Sequence, residues 1–313
     1  MDQPGPRLRR IRYLALALTA LSLLIVTVSA HIRLNGAGLG CAPWPDCYGQ
    51  ILTGAAHPHS GGARILHRIV ASLALVLGFV LVWQCQRPLP IAGPKRPAAA
   101  LLALMILLTF VGLFSADPQR VWAGFINMLG GAGLVLLSWA CFLAASEAAP
   151  KVGHGRGGAA LLHAGLGFLA LTFAQGALVG ARYAAPACPT LPGCGDAWLP
   201  TAAGLGALYP FVTISAPALL GDAGGAALHL LHRWCALAAL LLLGLGGLRA
   251  LARAEARRGA VALLVLLLVQ FALGVLTVLS GFGLGLAVAH SVCATALLAA
   301  GLHLLLKLKA GRA

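Results

Sequence analysis

Charge is what this sequence has least of. Only 9% of its 313 residues are Asp, Glu, Lys or Arg, against about 25% in an ordinary soluble domain. Acids are scarcest, seven in all. They are Asp2, Asp46, Asp117, Glu147, Asp196, Asp222 and Glu255, and none lies inside a long apolar run. Proton pumps and acid-lined ion channels place carboxylates at membrane depth, so this lack argues against both. No P-loop, hydrolase triad or dinucleotide fingerprint is present either. No stretch between apolar runs is long enough to form a separate soluble enzyme, which leaves any chemistry to the apolar body or its rim.

Hydrophobic residues make up 60% of the chain, with 40 glycines. Apolar runs begin near Ile11, Arg64, Ala98, Val121, Ala159, Gly225, Ala260 and Leu284, each about the 20 residues needed to cross hydrocarbon. The first reads as a span and not as a removable signal, being long and without a good small-residue cleavage site. The abundant small residues suit close helix–helix approach in lipid. The fold class expected is an all-α integral membrane protein of eight helices.

The net charge of +15 does not mark a nucleic-acid partner, because the basic residues sit in short loops. Sixteen of the 22 fall in one set of segments: Arg7, Arg9, Arg10, Arg12, Arg87, Lys95, Arg96, Lys151, Arg156, Arg249, Arg253, Arg257, Arg258, Lys307, Lys309 and Arg312. The positive-inside rule puts that set, and both termini, in the cytoplasm. The other six are Arg33, Arg64, Arg68, Arg120, Arg182 and Arg233.

The chain repeats. His67-Arg68 and His232-Arg233 each open an apolar run. Asn127 follows the first by 60 residues, and His290 follows the second by 58. Two longer outer loops, from about Ala30 to Ala63 and Arg182 to Gly224, carry Cys41 and Cys47 in CAPWPDC and Cys188 and Cys194 in CPTLPGC. The units expected are two pseudo-symmetric four-helix bundles, residues 1–150 and 151–313.

Histidine inside a membrane is costly without a partner. His232 and His290 fall about seven and six residues into parallel spans, roughly 9–10 Å below the outer boundary. Two imidazoles at matched depth offer two lone pairs, the number of axial positions on haem iron. The bland alternative is a pair of buried histidines bonded to helix carbonyls. In the first unit His67 faces Asn127, a poor iron ligand, so a haem there has one protein ligand, or is a transient substrate, or the site has decayed. Arg68 and Arg233 either pair with haem propionates or snorkel to the interface. His229 either tunes the site or fills the core. His31, His57, His59, His154, His163 and His303 are expected in loops or at interfaces. The loop cysteines read as Cys41–Cys47 and Cys188–Cys194 disulfides in an oxidising compartment, with redox-active thiols and a metal site as the competing readings. Cys85, Cys141, Cys235 and Cys293 lie in or beside spans as packing residues.

RLNGAGLGCAPWPDCYGQ followed by LHRIVASL resembles the haem A synthase family. The second-half Cys pair, HRW and VLSGFGLGLAVAHSVCATALL do so as well. The resemblance covers most of the chain, and the Cys pairs match the family's Cys-containing bacterial branch. It implies an oxidoreductase of the bacterial inner membrane that converts the C8 methyl of haem O to the formyl of haem A for haem-copper oxidases. It implies haem b on His232 and His290, and His67 as the catalytic ligand at the substrate site. Haem O synthase and oxidase assembly factors are the partners it suggests, and it allows a homo-oligomer. Arg64 stands where the family often has glutamate, and Asn127 where it has a second histidine. A non-catalytic haem-binding assembly protein and a membrane electron conduit are the alternatives.

Overall fold

The computed structural model describes residues 4–54, 61–146 and 156–310. His57, His59, His154 and the expected boundary at residue 150 lie outside the described residues. Eight helices are long and apolar enough to cross a membrane. They are α1 (Pro4–Gly36), α2 (Gly61–Gln86), α3 (Ala92–Phe114), α4 (Val121–Ala144), α5 (Arg156–Ala181), α6 (Ala223–Ala250), α7 (Arg257–Leu279) and α8 (Leu284–Ala310). With no solvent to bond backbone groups in hydrocarbon, apolar runs of this length satisfy themselves as helices. Local chemistry sets several ends. Asp222 caps α6, its carboxylate accepting from Gly225 N at 2.5 Å, as N-cap residues do. Pro94 falls in the first turn of α3, where the N–H groups have no partner within the helix. Six helices begin within three residues of the positions hydropathy suggests, while α1 and α3 begin earlier, at Pro4 and Ala92 and not near Ile11 and Ala98. At its other end α1 continues past Ala30 to Gly36, so His31 is helical and not in a loop. The helix runs on through polar His31, Arg33 and Asn35 until Gly38, at φ 85°, turns the chain and Leu39 N bonds back to Leu34 O.

The helices pack as two rings of four. In the first, α1 touches α2 and α4, and α3 touches α2 and α4. In the second, α5 touches α6 and α8, and α7 touches α6 and α8. The rings meet through α1 with α8, α4 with α5, and α4 with α8. Exchanging α1 with α5 and α4 with α8 leaves this contact pattern unchanged, so a pseudo-twofold axis passes between α4 and α8. Each ring has its own core. One is built on Ile11, Leu18, Leu81, Leu101 and Cys141, the other on Leu162, Leu243, Leu263, Leu297 and Leu304. Small residues bring α5 and α6 closest. A Cβ on Gly165 would fall 2.8 Å from the Leu243 side chain, and one on Gly246 would fall 2.9 Å from Leu162. Large apolar side chains such as Leu113 (72% exposed) and Leu279 (70%) cover the outside, where lipid and not water is the solvent.

Both cysteine loops lie at one end of the molecule and pack on each other. A Cβ on Gly49 would strike the Pro217 ring at 2.9 Å. Gln119 Nε2 donates to Leu52 O at 2.9 Å, and Ile214 N donates to Gln119 O at 3.0 Å. A shared apolar cluster, including Leu34, Tyr48, Tyr183 and Phe282, seals this end across the two rings.

Candidate functional site

His232 on α6 and His290 on α8 occupy diagonal corners of the second ring and meet across its interior. Their ring centroids are 6.3 Å apart, with the planes at 59°. Each imidazole lies on a glycine of the preceding helix. A Cβ on Gly176 would fall 3.1 Å from His232 Cε1, and one on Gly274 would fall 3.1 Å from His290 Cε1. One turn before each glycine is a group that holds the ring. His232 Nδ1 donates to the carbonyl of Thr172 at 2.9 Å. That fixes the tautomer and leaves the Nε2 lone pair free. Gln270 Nε2 is 3.2 Å from both nitrogens of His290, and Gln270 Oε1 is buried without a partner. Rotation about the last side-chain bond puts that oxygen where it accepts from His290 Nδ1–H, giving the same arrangement as at His232. Thr172–Gly176 and Gln270–Gly274 are therefore matching clamps.

The first ring is built differently. His67 on α2 is half-buried, and its neighbours Arg64, Ile65, Leu66, Arg68 and Ile69 are exposed. The matching end of α6 is better covered: His229 and Leu230 are buried and Leu231, His232 and Arg233 half-buried, with only Trp234 exposed. Asn127 Nδ2 donates to Ser115 Oγ at the end of α3, so its amide is engaged within the ring. Thr27 and Val28 stand on α1 near the position that Gly176 holds on α5, so no matching glycine bed exists there.

Arg233 is tied down. Its Nη1 donates to Pro192 O and Gly193 O at 3.0 and 2.9 Å, and its Nη2 donates to Cys188 O at 3.1 Å. Trp234 Nε1 donates to Trp198 O at 2.9 Å. In HRW the histidine thus points into the ring while the next two residues hold the second loop over it. His229 Nε2 bonds Ala184 O at 2.8 Å, which accounts for its burial. His303 packs against Trp139 at 5.7 Å between α8 and α4. Among the described residues no three or more His, Cys, Asp and Glu gather in one place. The donor set is two imidazoles and nothing else.

Residues 66–302 match the family described as cytochrome oxidase assembly protein, COX15-CtaA. The chain belongs to that family. It is 27% identical over 307 residues to the heme A synthase of Shewanella oneidensis, covering 88% of this chain and 90% of that protein. It is 32% identical over 126 residues to the heme A synthase of Symbiobacterium thermophilum (38% and 39%), and 36% identical over 152 residues to that of Rhizorhabdus wittichii (45% and 38%).

In this COX15-CtaA chain the four loop cysteines form two disulfides, Cys41–Cys47 and Cys188–Cys194. Cys85, Cys141, Cys235 and Cys293 are free. Mass mapping without reductant is expected to find both loop pairs and four alkylatable thiols. Replacing either pair by serine is expected to cost about 2 kcal/mol of stability from loop entropy alone, measured by thermal unfolding. Sequence reasoning missed Gly176, Gly274, Thr172 and Gln270. The signal was there as a repeat of 98 residues between the two clamps, but glycines are too common in this chain to draw notice.

Proposed function

We propose that this protein is a haem A synthase, oxidising the C8 methyl of haem O to the formyl of haem A in the assembly of cytochrome oxidase. The observation that carries the reading is the asymmetry of the two rings. In the second, paired imidazoles are each clamped by a glycine bed and a hydrogen-bonding group, as befits a resident cofactor. In the first, a single imidazole sits on an open helix end, as befits a substrate that arrives and leaves. Family membership and the heme A synthase relatives support the same reaction.

The second-ring pair fits a haem, with haem b the form proposed. With their centroids 6.3 Å apart across the ring interior, His232 and His290 would hold such a group between them, one imidazole nitrogen from each. Only two nitrogens are offered, which suits a metal whose other positions are filled by a macrocycle. A haem held there supplies one-electron transfer. Thr172 O and Gln270 set both imidazoles with Nδ1 as donor, which raises ligand basicity and orients the rings. Arg233 and Trp234 close the second loop above them and keep water out.

Turning a methyl into a formyl adds one oxygen and removes four electrons: R–CH3 + H2O → R–CHO + 4 H⁺ + 4 e⁻. The Cys41–Cys47 disulfide takes up only two electrons, so the four of each turnover pass to an external oxidant. His67 orients the substrate as its one protein ligand. Asn127, held by Ser115, contributes an amide and no second nitrogen ligand, so one face of the substrate iron stays open. Arg68, exposed beside His67, is placed to meet a substrate carboxylate. The protein lies in the bacterial inner membrane with both termini cytoplasmic and the disulfide loops outside.

The test is expression in a host that makes haem O but lacks its own synthase, followed by haem extraction and chromatography. Haem A is the expected product. Haem O alone, from a protein carrying its haem b, would show a haem-binding assembly factor and overturn the catalytic reading.

A further inference from the structure

Arg33 carries a charge that no other described residue neutralises. It lies three residues before the end of α1. Among the described residues the ion pair formed is Arg120 with Asp117, on another part of the rim. The groups whose charge bears on Arg33 are the phenols of Tyr48 and Tyr183, one from each disulfide loop. Burial pushes the Tyr48 phenol well up and the Tyr183 phenol up to about 12, against the opposing pull of Arg33. Both are neutral at physiological pH, and the guanidinium stays uncompensated.

Its position is set by glycine. A Cβ on Gly180 would fall 2.6 Å from Arg33 Nη1, so only glycine lets the guanidinium lie against α5. Gly176, four residues earlier on the same face of α5, bears the His232 ring, with its would-be Cβ 3.1 Å from Cε1. Four residues of helix rise about 6 Å. A cation from the first ring therefore sits one turn from an imidazole of the second, toward the disulfide end. Of the other arginines of that end, Arg64 and Arg68 stand exposed on α2 in the first ring, and the remaining three are in use. Arg233 holds three loop carbonyls. Arg182 donates to Tyr209 O and has Asp222 as its charge neighbour. Arg120 is paired with Asp117.

We propose that Arg33 is a carboxylate-binding residue of the second-ring site, reaching across from α1 to receive an acid side chain of the porphyrin held by His232 and His290. This rests on the haem reading above. A planar guanidinium takes a carboxylate through two parallel hydrogen bonds, and an unpaired, partly buried cation gains from such a partner. The resident cofactor is then held by both rings, and the second bundle is an incomplete site without the first.

The experiment compares purified full-length protein binding iron protoporphyrin IX with its binding the dimethyl ester, in which both carboxylates are blocked. The wild type is expected to favour the free acid by about tenfold or more, the size of a charge-assisted bond. Arg33→Gln is expected to lose most of that preference while binding the ester as the wild type does, with the low-spin bis-imidazole spectrum retained. Arg33→Lys should recover part of the preference. Arg33→Met, neutral and of similar length, gives the same reading if the Gln variant does not fold. An unchanged acid-over-ester ratio in the neutral variants overturns the proposal and leaves the haem reading standing. Equal loss of both ligands assigns Arg33 a structural role and also overturns it. A wild type that binds neither form overturns the haem reading and the Arg33 proposal together.

Discussion

His232→Ala and His290→Ala are each expected to abolish the low-spin haem spectrum of the purified protein. Each removes one of the two imidazoles that meet across the second ring, and among the described residues no third His, Cys, Asp or Glu joins them in a metal-binding group. Changes to groups that merely orient a metal ligand cost 10–100-fold in affinity, so loss of the ligand itself should lower haem content by more than about tenfold. The fold should survive, since each imidazole rests on a glycine and neither histidine belongs to the apolar core of the ring. Optical spectra and pyridine-haemochrome analysis of the two variants make the measurement. A full low-spin spectrum in both would show that the pair is a buried histidine couple bonded to helix groups.

His67→Ala is expected to stop haem A formation while leaving the second-ring haem in place. The two sites stand in different rings with separate cores, and mutations without shared partners act independently. Of the two histidines in described first-ring spans, His31 lies near the end of α1 and His67 stands beside the open end of α2, while Asn127 is bound to Ser115. Loss of the group that positions a substrate costs on the order of 10²-fold in rate. Haem extraction from the synthase-deficient host gives the comparison: haem O accumulates with His67→Ala, and the optical spectrum of bound haem matches the wild type. Haem A at wild-type level from both proteins would move the reaction out of the first ring. Loss of both signals together would show that the rings are not independent.

Much of the architecture was legible because in a membrane the sequence has few choices. Runs of about 20 apolar residues can only be helices there, so eight spans followed from hydropathy, and the spacing of His67, Asn127, His232 and His290 revealed a repeat. The pairing of the loop cysteines was legible too, because a spacing of six within one short loop leaves little alternative partner choice. What hydropathy could not supply was the end of α1. Its helix runs on to Gly36 because capping and loop packing, not lipid thickness, stop it.

The roles of the arginines were the least legible. From sequence, Arg233 and Arg33 are both basic residues at span ends. Only the tertiary structure shows Arg233 bonded to Pro192, Gly193 and Cys188 while Arg33 remains unpaired against Gly180. The same holds for Thr172, Gln270, Gly176 and Gly274, each ordinary in its own helix. A lipid-exposed run is decided by the transfer energy of its own residues, which is local and additive, so the sequence by itself determined the spans, the repeat and the two histidines. Which polar group meets which depends on how α1, α5, α6, α7 and α8 cross. That geometry comes from non-local packing of small residues, and only the folded chain decides it.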